Sequence, residues 1–288
     1  MTKAALYDSR ICALGEGPFW HPLRQQLFWF DIVGKRLLTQ IDGAPHHWQF
    51  DEHVSAAGWI DHDRLLIASQ TALFQFDLRD ASRSDICPLE ADNPLTRSND
   101  GRADPQGGFW IGTMGLGAEK DAGAIWRYYR GELRRLFAPI TISNSICFAP
   151  DGRCAYFTDT RRGEIMRVKL DAQGWPEGAP SLFIDCADQP GHPDGSVVDA
   201  DGNLWNAQWG AWRVAKFAPD GSFVSAIEVG GAHSSCPAFG GADFSDLYIT
   251  TALENLSDAD AAKSDDNGKV FVARGVGIGQ AEHQVIIG

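Results

Sequence analysis

One strand–turn–strand unit recurs about six times along the 288-residue chain and constrains the fold more than any other feature. Each unit begins at a polar residue, continues as a short apolar strand, turns at Asp, Gly or Pro, and returns as a second strand carrying an aromatic or aliphatic pair. The returning strands are centred on positions 29, 66, 110, 157, 205 and 248, about 37 to 48 residues apart. A repeat of this length is typical of β-propellers, in which each four-stranded blade buries its faces against its neighbours.

The repeat therefore predicts an all-β fold, a six-bladed β-propeller formed by a single domain over residues 1–288. No convincing amphipathic helix interrupts the pattern. Two β-sandwich domains are the alternative for a chain of this length, but a sandwich does not account for a polar start in every unit. The acidic segment 257–266 is expected to be a solvated loop.

The clearest copy of the unit is the segment 97–114. Its polar tip contains Arg97, Asn99 and Asp100 and is followed by a glycine. The turn at 104–108 combines a proline, which fixes φ, with two glycines, which allow positive φ. An aromatic strand then returns. We expect the polar tips of such units to supply the chemistry, because the strands themselves are apolar.

Charge and composition exclude several classes of function. The formal net charge of −13 argues against binding to nucleic acid or to an anionic membrane surface. No apolar run approaches the roughly 18 residues of a membrane span, and the first residues lack the apolar core of a signal peptide. The six scattered cysteines form no C-x-x-C pair, which predicts free thiols in a reducing cytoplasm. We expect a monomer or weak oligomer whose partner is a small molecule.

Polar residues stand at the start of the first strand in several units, and in a propeller these starts converge on one mouth of the central channel. They are Glu16-Gly17, Asn99-Asp100-Gly101, Asn144-Ser145 and Asp194-Gly195. A glycine after the polar residue permits positive φ or a close approach of the backbone. Any one of these pairs alone is an ordinary turn signal. Their equivalent positions in different units favour a shared site.

The residue types at this mouth predict a metal site. Glu16, Asn144 and Asp194 offer only oxygen, which suits Ca²⁺, Mg²⁺ or Mn²⁺, and Zn²⁺ also accepts carboxylates. Two carboxylates and one amide leave coordination positions open for water and substrate. Arg97 and Asn99 can hold a hydroxyl-rich ligand through forked and amide hydrogen bonds.

Three further side chains near Asp194 in sequence are candidates for the pocket wall. They are His192, Trp209 and Trp212. For Trp209, packing within the blade is an equally good interpretation.

Six motifs, in order and spanning nearly the whole chain, resemble the senescence marker protein/gluconolactonase (regucalcin-like) family. They are L-G-E-G-P-F-W (14–20), R-S-N-D-G-R-A-D-P-Q-G-G-F-W-I-G-T-M (97–114), I-S-N (142–144), Y-F-T-D-T (156–160), P-D-G-S-V-V-D-A-D-G-N-L-W (193–205) and C-P-A-F-G-G (236–241). The resemblance implies a six-bladed propeller with one divalent metal in its channel and hydrolysis of sugar lactones. Carried over by motif, it implies Glu16, Asn144 and Asp194 as metal ligands, Arg97 and Asn99 as the substrate-binding pair, and Asp194 as general base.

Two departures from the family pattern bear on the site. Ser145 stands where the family usually has glycine. Some members carry a substrate-contacting glutamate shortly after G-T-M, whereas this chain continues with Gly115-Leu116-Gly117. Glu119 or Asp121 are the candidates to replace it, so the identity of the substrate stays open.

We expect metal-dependent hydrolysis of a sugar (aldono-)lactone to the aldonic acid. A cation would polarise the lactone carbonyl while Asp194 takes a proton from the attacking water. The chain has no Ser-centred G-x-S-x-G elbow, which disfavours a covalent acyl-enzyme. Two alternatives remain: hydrolysis of aryl esters or organophosphates on the same scaffold, and a non-enzymatic propeller that binds a divalent metal.

Overall fold

The computed structural model describes residues 2–288, which contain 25 β-strands and a single short helix. Near the N-terminus lie β1 (Thr2–Lys3) and β2 (Ala5–Asp8). The alternation of short strands with tight turns reflects the repeated aromatic runs and the Asp-Gly and Pro-Asp-Gly segments between them. The all-β prediction is confirmed.

Four sheets each consist of four consecutive antiparallel strands. The first contains β3 (Gly15–His21), β4 (Gln26–Asp31), β5 (Arg36–Ile41) and β6 (Ala44–Gln49). The second contains β7 (Val54–Trp59), β8 (Arg64–Ser69), β9 (Ala72–Asp77) and β10 (Arg83–Pro88). The third contains β11 (Thr96–Ala103), β12 (Phe109–Gly115), β13 (Gly123–Tyr129) and β14 (Glu132–Ile140). The fourth contains β15 (Ser143–Phe148), β16 (Cys154–Asp159), β17 (Glu164–Leu170) and β18 (Pro176–Asp185).

The remaining strands form one nine-stranded sheet that holds two four-stranded groups. The first group is β19 (His192–Val198), β20 (Leu204–Trp209), β21 (Arg213–Phe217) and β22 (Phe223–Glu228). The second is β23 (His233–Gly240), β24 (Asp246–Ala252) and β25 (Val270–Ala273), completed by β2 from the N-terminus. The pair Trp209–His233 joins the two groups, and β1 adds to β22 in parallel.

The apolar core is divided into six clusters, and each combines residues of two neighbouring sheets or groups. Representative pairs are Phe30 and Phe74, Leu66 and Phe109, Trp110 and Phe157, Tyr156 and Phe217, Trp205 and Phe239, and Trp29 and Tyr248. The last pair joins the first sheet to the final group, so the series of interfaces closes on itself. Such a closed series of sheet-on-sheet contacts is consistent with a propeller.

The first strand of every sheet or group contacts the first strand of the next. These contacts run β3–β7–β11–β15–β19–β23 and return to β3. Six strands therefore surround a common centre. In each four-stranded unit the first strand leads away from one end of this channel and the second strand leads back to it, since the two are antiparallel.

The acidic segment 257–266 and the cysteines were the subject of two smaller predictions. The acidic segment contains a one-turn helix, α1 (Asp258–Ala261), capped by the Ser257 hydroxyl, so the prediction of a plain loop is wrong there; none of the helix residues is buried. All six cysteines are free, as predicted. Within residues 2–288, no helix has the length and apolar character needed to cross a membrane.

Candidate active site at the mouth of the channel

A pocket of about 490 Å³ opens where the first strands begin, and it brings together all five residues singled out in the sequence. Glu16 comes from β3, Arg97 and Asn99 from β11, Asn144 from β15 and Asp194 from β19. Each of these side chains is buried in the protein, at 5% exposure or less. The convergence that the repeat predicted is present, whereas the roles of the five residues remain predictions.

A β-bulge at the polar start of each contributing strand directs these side chains into the channel. Pairing is interrupted between Glu16 and Phe19, between Ser98 and Gly101, between Asn144 and Cys147, and between Pro193 and Ser196. A bulge bends its strand and re-aims local side chains, which is why bulges are frequent next to functional sites.

Gly17 shows why a glycine follows the polar residue in the first of these bulges. Its φ is +52°, in the left-handed region, and a Cβ there would lie 2.2 Å from the Ser55 carbonyl oxygen of the neighbouring first strand. The backbone of β3 can therefore approach β7 only with glycine at this position. Its N–H donates to Glu16 Oε2 at 2.8 Å, so the same turn orients the carboxylate.

Glu16 and Asp194 are two buried carboxylates with no cationic side chain paired to either of them in the part of the chain that is described. Burial, with a further contribution from the charge of Asp100, raises the pKa of Glu16 to about 8. Burial, followed by the charges of Glu16 and Asp100, raises the pKa of Asp194 well above its ordinary value. A negative charge on either carboxyl group is therefore costly in this buried position unless a counter-ion is bound.

The two asparagine amides are held by a chain of hydrogen bonds. Asn99 Nδ2 donates to the Ser143 carbonyl at 2.9 Å and to Asn144 Oδ1 at 3.1 Å. Asn144 Nδ2 donates to Thr160 Oγ1 at 2.9 Å, and that hydroxyl donates to the Pro193 carbonyl at 2.8 Å. The oxygen of Asn144 keeps a second lone pair for another partner.

Arg97 presents donors to the pocket. Its Nη1 donates to the Ser98 carbonyl at 3.0 Å and to Asn99 Oδ1 at 2.7 Å. These are its only side-chain hydrogen bonds within residues 2–288, so Nε and Nη2 are available to a ligand. Burial lowers the pKa of Arg97, while the negative charges of Glu254, Glu16 and Asp194 favour its charged form.

The donor set at the channel fits a hard divalent cation. Glu16, Asp194 and Asn144 supply oxygen only, and neither of the two buried carboxylates forms a contact ion pair in the described residues. No group of three or more His, Cys, Asp or Glu side chains is arranged for metal binding in the described residues. The candidate site has only two carboxylates, and its third proposed ligand is the Asn144 amide, which is not one of these four residue types.

The wall of the pocket differs in part from the prediction. His192 and Trp209 line it, and the ring of Trp209 stacks on His233 with centroids 4.2 Å apart. The expectation for Trp212 is wrong. It does not line the pocket but lies in the turn between β20 and β21 with φ +59°, where the Lys263 ammonium is 5.9 Å from its ring centroid.

Neither candidate for the missing glutamate lines the pocket. Glu119 Oε2 accepts a hydrogen bond from the Gly117 N–H at 3.0 Å, so the side chain folds back onto its own loop. Asp121 lines a separate groove together with Glu90 and Trp126.

The pocket contains four further polar residues that the sequence did not single out, Thr160, Arg161, Glu254 and Asn255. All four follow the end of a second strand, β16 or β24. Second strands return to the mouth at which first strands begin. Polar residues within the first three positions after Y-F-T-D and Y-I-T-T-A were therefore a usable signal.

The chain is similar in sequence and in fold to known proteins. The profile of the SMP-30/Gluconolactonase/LRE-like region matches residues 14–253. The L-arabinolactonase of Azospirillum brasilense is 38% identical over 280 residues, covering 94% of this chain and 92% of that protein. The 6-deoxy-6-sulfogluconolactonase of Pseudomonas putida is 32% identical over 268 residues, covering 91% of each. Among solved structures, the calcium-binding protein regucalcin from Agrobacterium tumefaciens strain C58 is 38% identical, covers 99% of both chains and superposes with a TM-score of 0.95.

Proposed function

Because the chain belongs to the SMP-30/gluconolactonase/LRE-like family, we propose that it is a lactonase that hydrolyses a sugar (aldono-)lactone to the aldonic acid with the help of one divalent metal ion. The observation that carries the proposal is that one pocket contains two buried carboxylates that form no contact ion pair, Glu16 and Asp194, together with the free donors of Arg97. Relatives named L-arabinolactonase and 6-deoxy-6-sulfogluconolactonase support the substrate class.

The scaffold for this activity is proposed to be one six-bladed propeller over residues 1–288. Four sheets of four strands and two further four-stranded groups supply six blades. The last blade is completed by β2, which pairs with β25 and so joins the two ends of the chain. Such a ring, closed by its own termini, would hold the five proposed site residues in place, because all five lie on strands of the inner wall.

The residues proposed to hold the metal are Glu16, Asn144 and Asp194. Calcium, zinc, manganese and magnesium all accept such oxygen ligands, and the regucalcin structure is that of a calcium-binding protein. When bound, the ion supplies positive charge that polarises the lactone carbonyl and offsets the two buried carboxylates.

The side chains of this chain perform the remaining steps. Arg97 and Asn99 orient the lactone through its hydroxyl groups. An Asp194 carboxylate oxygen accepts a proton from the attacking water, whose oxygen bonds to the carbonyl carbon. The ring C–O bond then breaks, and the proton held by Asp194 passes to the leaving ring oxygen, which becomes a hydroxyl of the aldonic acid. Asp194 thus ends in its starting protonation state, and no covalent enzyme intermediate is formed.

The substrate is proposed to be a small sugar lactone, and nucleic acid and membranes are not proposed as partners of a chain with a net charge of −13. A monomer or weak oligomer with free thiols, working in a reducing cytoplasm, remains our expectation.

The test is a panel of five- and six-carbon aldonolactones assayed with metal-free protein and with each of Ca²⁺, Zn²⁺, Mn²⁺ and Mg²⁺. We expect removal of the metal to lower kcat by orders of magnitude, since a cation at the carbonyl is worth several kcal/mol, and a divalent ion to restore it. Asp194→Ala should lose both metal and turnover. Fully active protein that is metal-free and folded by circular dichroism contradicts the mechanism. Metal binding without turnover of any lactone indicates a binding propeller, and preferential turnover of aryl esters or organophosphates indicates a different hydrolase.

A further inference from the structure

Glu254 is fixed at the wall of the pocket through its backbone. Its N–H donates to the Ala13 carbonyl at 2.9 Å, and its own carbonyl accepts from His233 Nδ1 at 3.0 Å. The next residue, Asn255, adopts a left-handed φ of +56°, which turns the chain away from the mouth. Glu254 is therefore presented to the pocket by a segment held on both sides, at the point where β24 returns to the channel.

The carboxylate of Glu254 has no hydrogen-bond or ion-pair partner within residues 2–288, although it lines the pocket and is only partly exposed. Among neighbouring charges it contributes most to keeping Arg97 protonated, ahead of Glu16 and Asp194. Arg97 and Glu254 line the same pocket without forming a contact ion pair. The pocket therefore offers hydrogen-bond donors from Arg97 and acceptors from Glu254.

A hydroxyl group fits such a space because it donates one hydrogen bond and accepts others. Neighbouring hydroxyls of a sugar can accept from the unused Nε and Nη2 of Arg97 and donate to the carboxylate of Glu254. Glu119 and Asp121, the acidic residues expected in this role, lie outside the pocket. Glu254 is the acidic residue that faces the pocket beyond the candidate metal ligands.

We propose that Glu254 is a specificity-determining residue that accepts hydrogen bonds from the hydroxyl groups of the lactone opposite the donors of Arg97. This inference rests on the proposed lactonase function. The Glu254 carboxylate then selects polyhydroxylated lactones over lactones that lack the contacted hydroxyl, since a half-buried carboxylate gains no hydrogen bond from a ring without that hydroxyl. Removing one partner of a hydrogen bond to a charged group lowers kcat/KM by about tenfold to a hundredfold.

The experiment compares Glu254→Ala and Glu254→Gln with Asp258→Asn, a matched control that removes one negative charge from an exposed position four residues away. Each protein is assayed on the best aldonolactone of the panel and on its deoxy analogues, each lacking one hydroxyl. We expect Glu254→Ala to lower kcat/KM on the parent lactone by tenfold or more, mainly through KM. Glu254→Gln, which keeps an acceptor oxygen, should lose less, and Asp258→Asn should stay within twofold.

The deoxy series identifies the contact. On the analogue that lacks the contacted hydroxyl, the penalty of Glu254→Ala should disappear, because both partners of the bond are already missing. Bound metal, measured directly, should equal that of the wild type. Two outcomes overturn the inference: Glu254→Ala indistinguishable from the control on every hydroxylated lactone, or an equal loss on every analogue together with loss of metal. Wild-type protein that opens no lactone at all refutes the proposed function instead.

Discussion

At the scale of single residues, Ser145 shows how a departure from the family pattern is accommodated. Its φ is +58°, a left-handed conformation that costs a non-glycine residue roughly 1 kcal/mol or more. Its hydroxyl donates to the Asp194 carbonyl at 2.5 Å and lies 2.9 Å from Ser196 Oγ. The serine therefore connects the turn that carries Asn144 to the backbone of Asp194, which a glycine could not do.

Ser145→Gly should leave stability nearly unchanged and weaken the metal site. The substitution relieves the left-handed strain and removes one hydrogen bond, and each effect is about 1 kcal/mol. The Asp194 carbonyl would keep only its side-chain hydrogen bond from Asn206, whose Nδ2 donates to it at 3.1 Å. We expect about fivefold weaker metal binding by calorimetry, with a midpoint of unfolding close to that of the wild type. Unchanged metal affinity would show that the serine does not position Asp194.

At the scale of strands and turns, the sequence predicted both the first and the second strand of each unit, but it identified polar pocket residues only at the starts of the first strands. The starts of the first strands stand out because a polar residue and a small residue precede each apolar run, as at Glu16 and Asp194. The residues after the second strands, such as Glu254, carry no such signature. Their place at the same mouth follows only from the direction in which the chain runs within a blade.

Other differences come from pairings that no local pattern contains. Strand β2 completes the final group by pairing with β25, more than 250 residues later in the chain, and β1 adds to β22 in parallel. Periodicity cannot predict such partners, since the first eight residues precede the first repeat. Helix α1 is a single turn, too short to show a helical period of apolar residues.

The contact between the first two sheets contains a buried imidazole whose tautomer is determined by its partners. The Arg24 N–H donates to His21 Nδ1 at 3.3 Å, so Nε2 carries the proton and donates to the Asp61 carbonyl at 2.9 Å. Burial lowers the pKa of His21 to about 4. A second proton would have to sit on Nδ1, facing the Arg24 N–H.

His21→Gln should therefore flatten the dependence of stability on pH. Because the pKa is lower in the folded state than its ordinary value of about 6.5, the stabilisation is complete above pH 6.5 and is lost as the pH falls toward 4. We expect the difference in unfolding free energy between wild type and variant to shrink by about 1–2 kcal/mol from pH 7 to pH 5, measured by urea denaturation. His62→Gln, in an exposed turn nearby, is the control. A constant difference across this range contradicts the prediction.

At the scale of the whole molecule, the C-terminal segment after β25 closes the end of the channel opposite the pocket. Gln280 Nε2 donates to the Phe148 and Val198 carbonyls, and Gln284 Nε2 donates to the Ile60 carbonyl at 2.6 Å. Between them, Glu282 forms an ion pair with Arg102, a buried residue of β11. The segment thus connects four separate sheets or groups across the channel.

Glu282→Ala should destabilise the entire ring of sheets, because Arg102 would remain in the channel without its principal counter-charge. Removing one partner of a buried ion pair costs about 3–5 kcal/mol, and we expect the lower end because Asp100 also favours the charged form of Arg102. For a chain of this size the midpoint of thermal unfolding should fall by about 6–10 °C. The control is Glu132→Ala, whose partner is the exposed Arg134 and which should cost at most about 1 kcal/mol. If the two substitutions lower the midpoint of unfolding equally, the C-terminal segment covers the channel without stabilising the ring. If only Glu282→Ala lowers the midpoint, the segment joins the sheets into one cooperative unit.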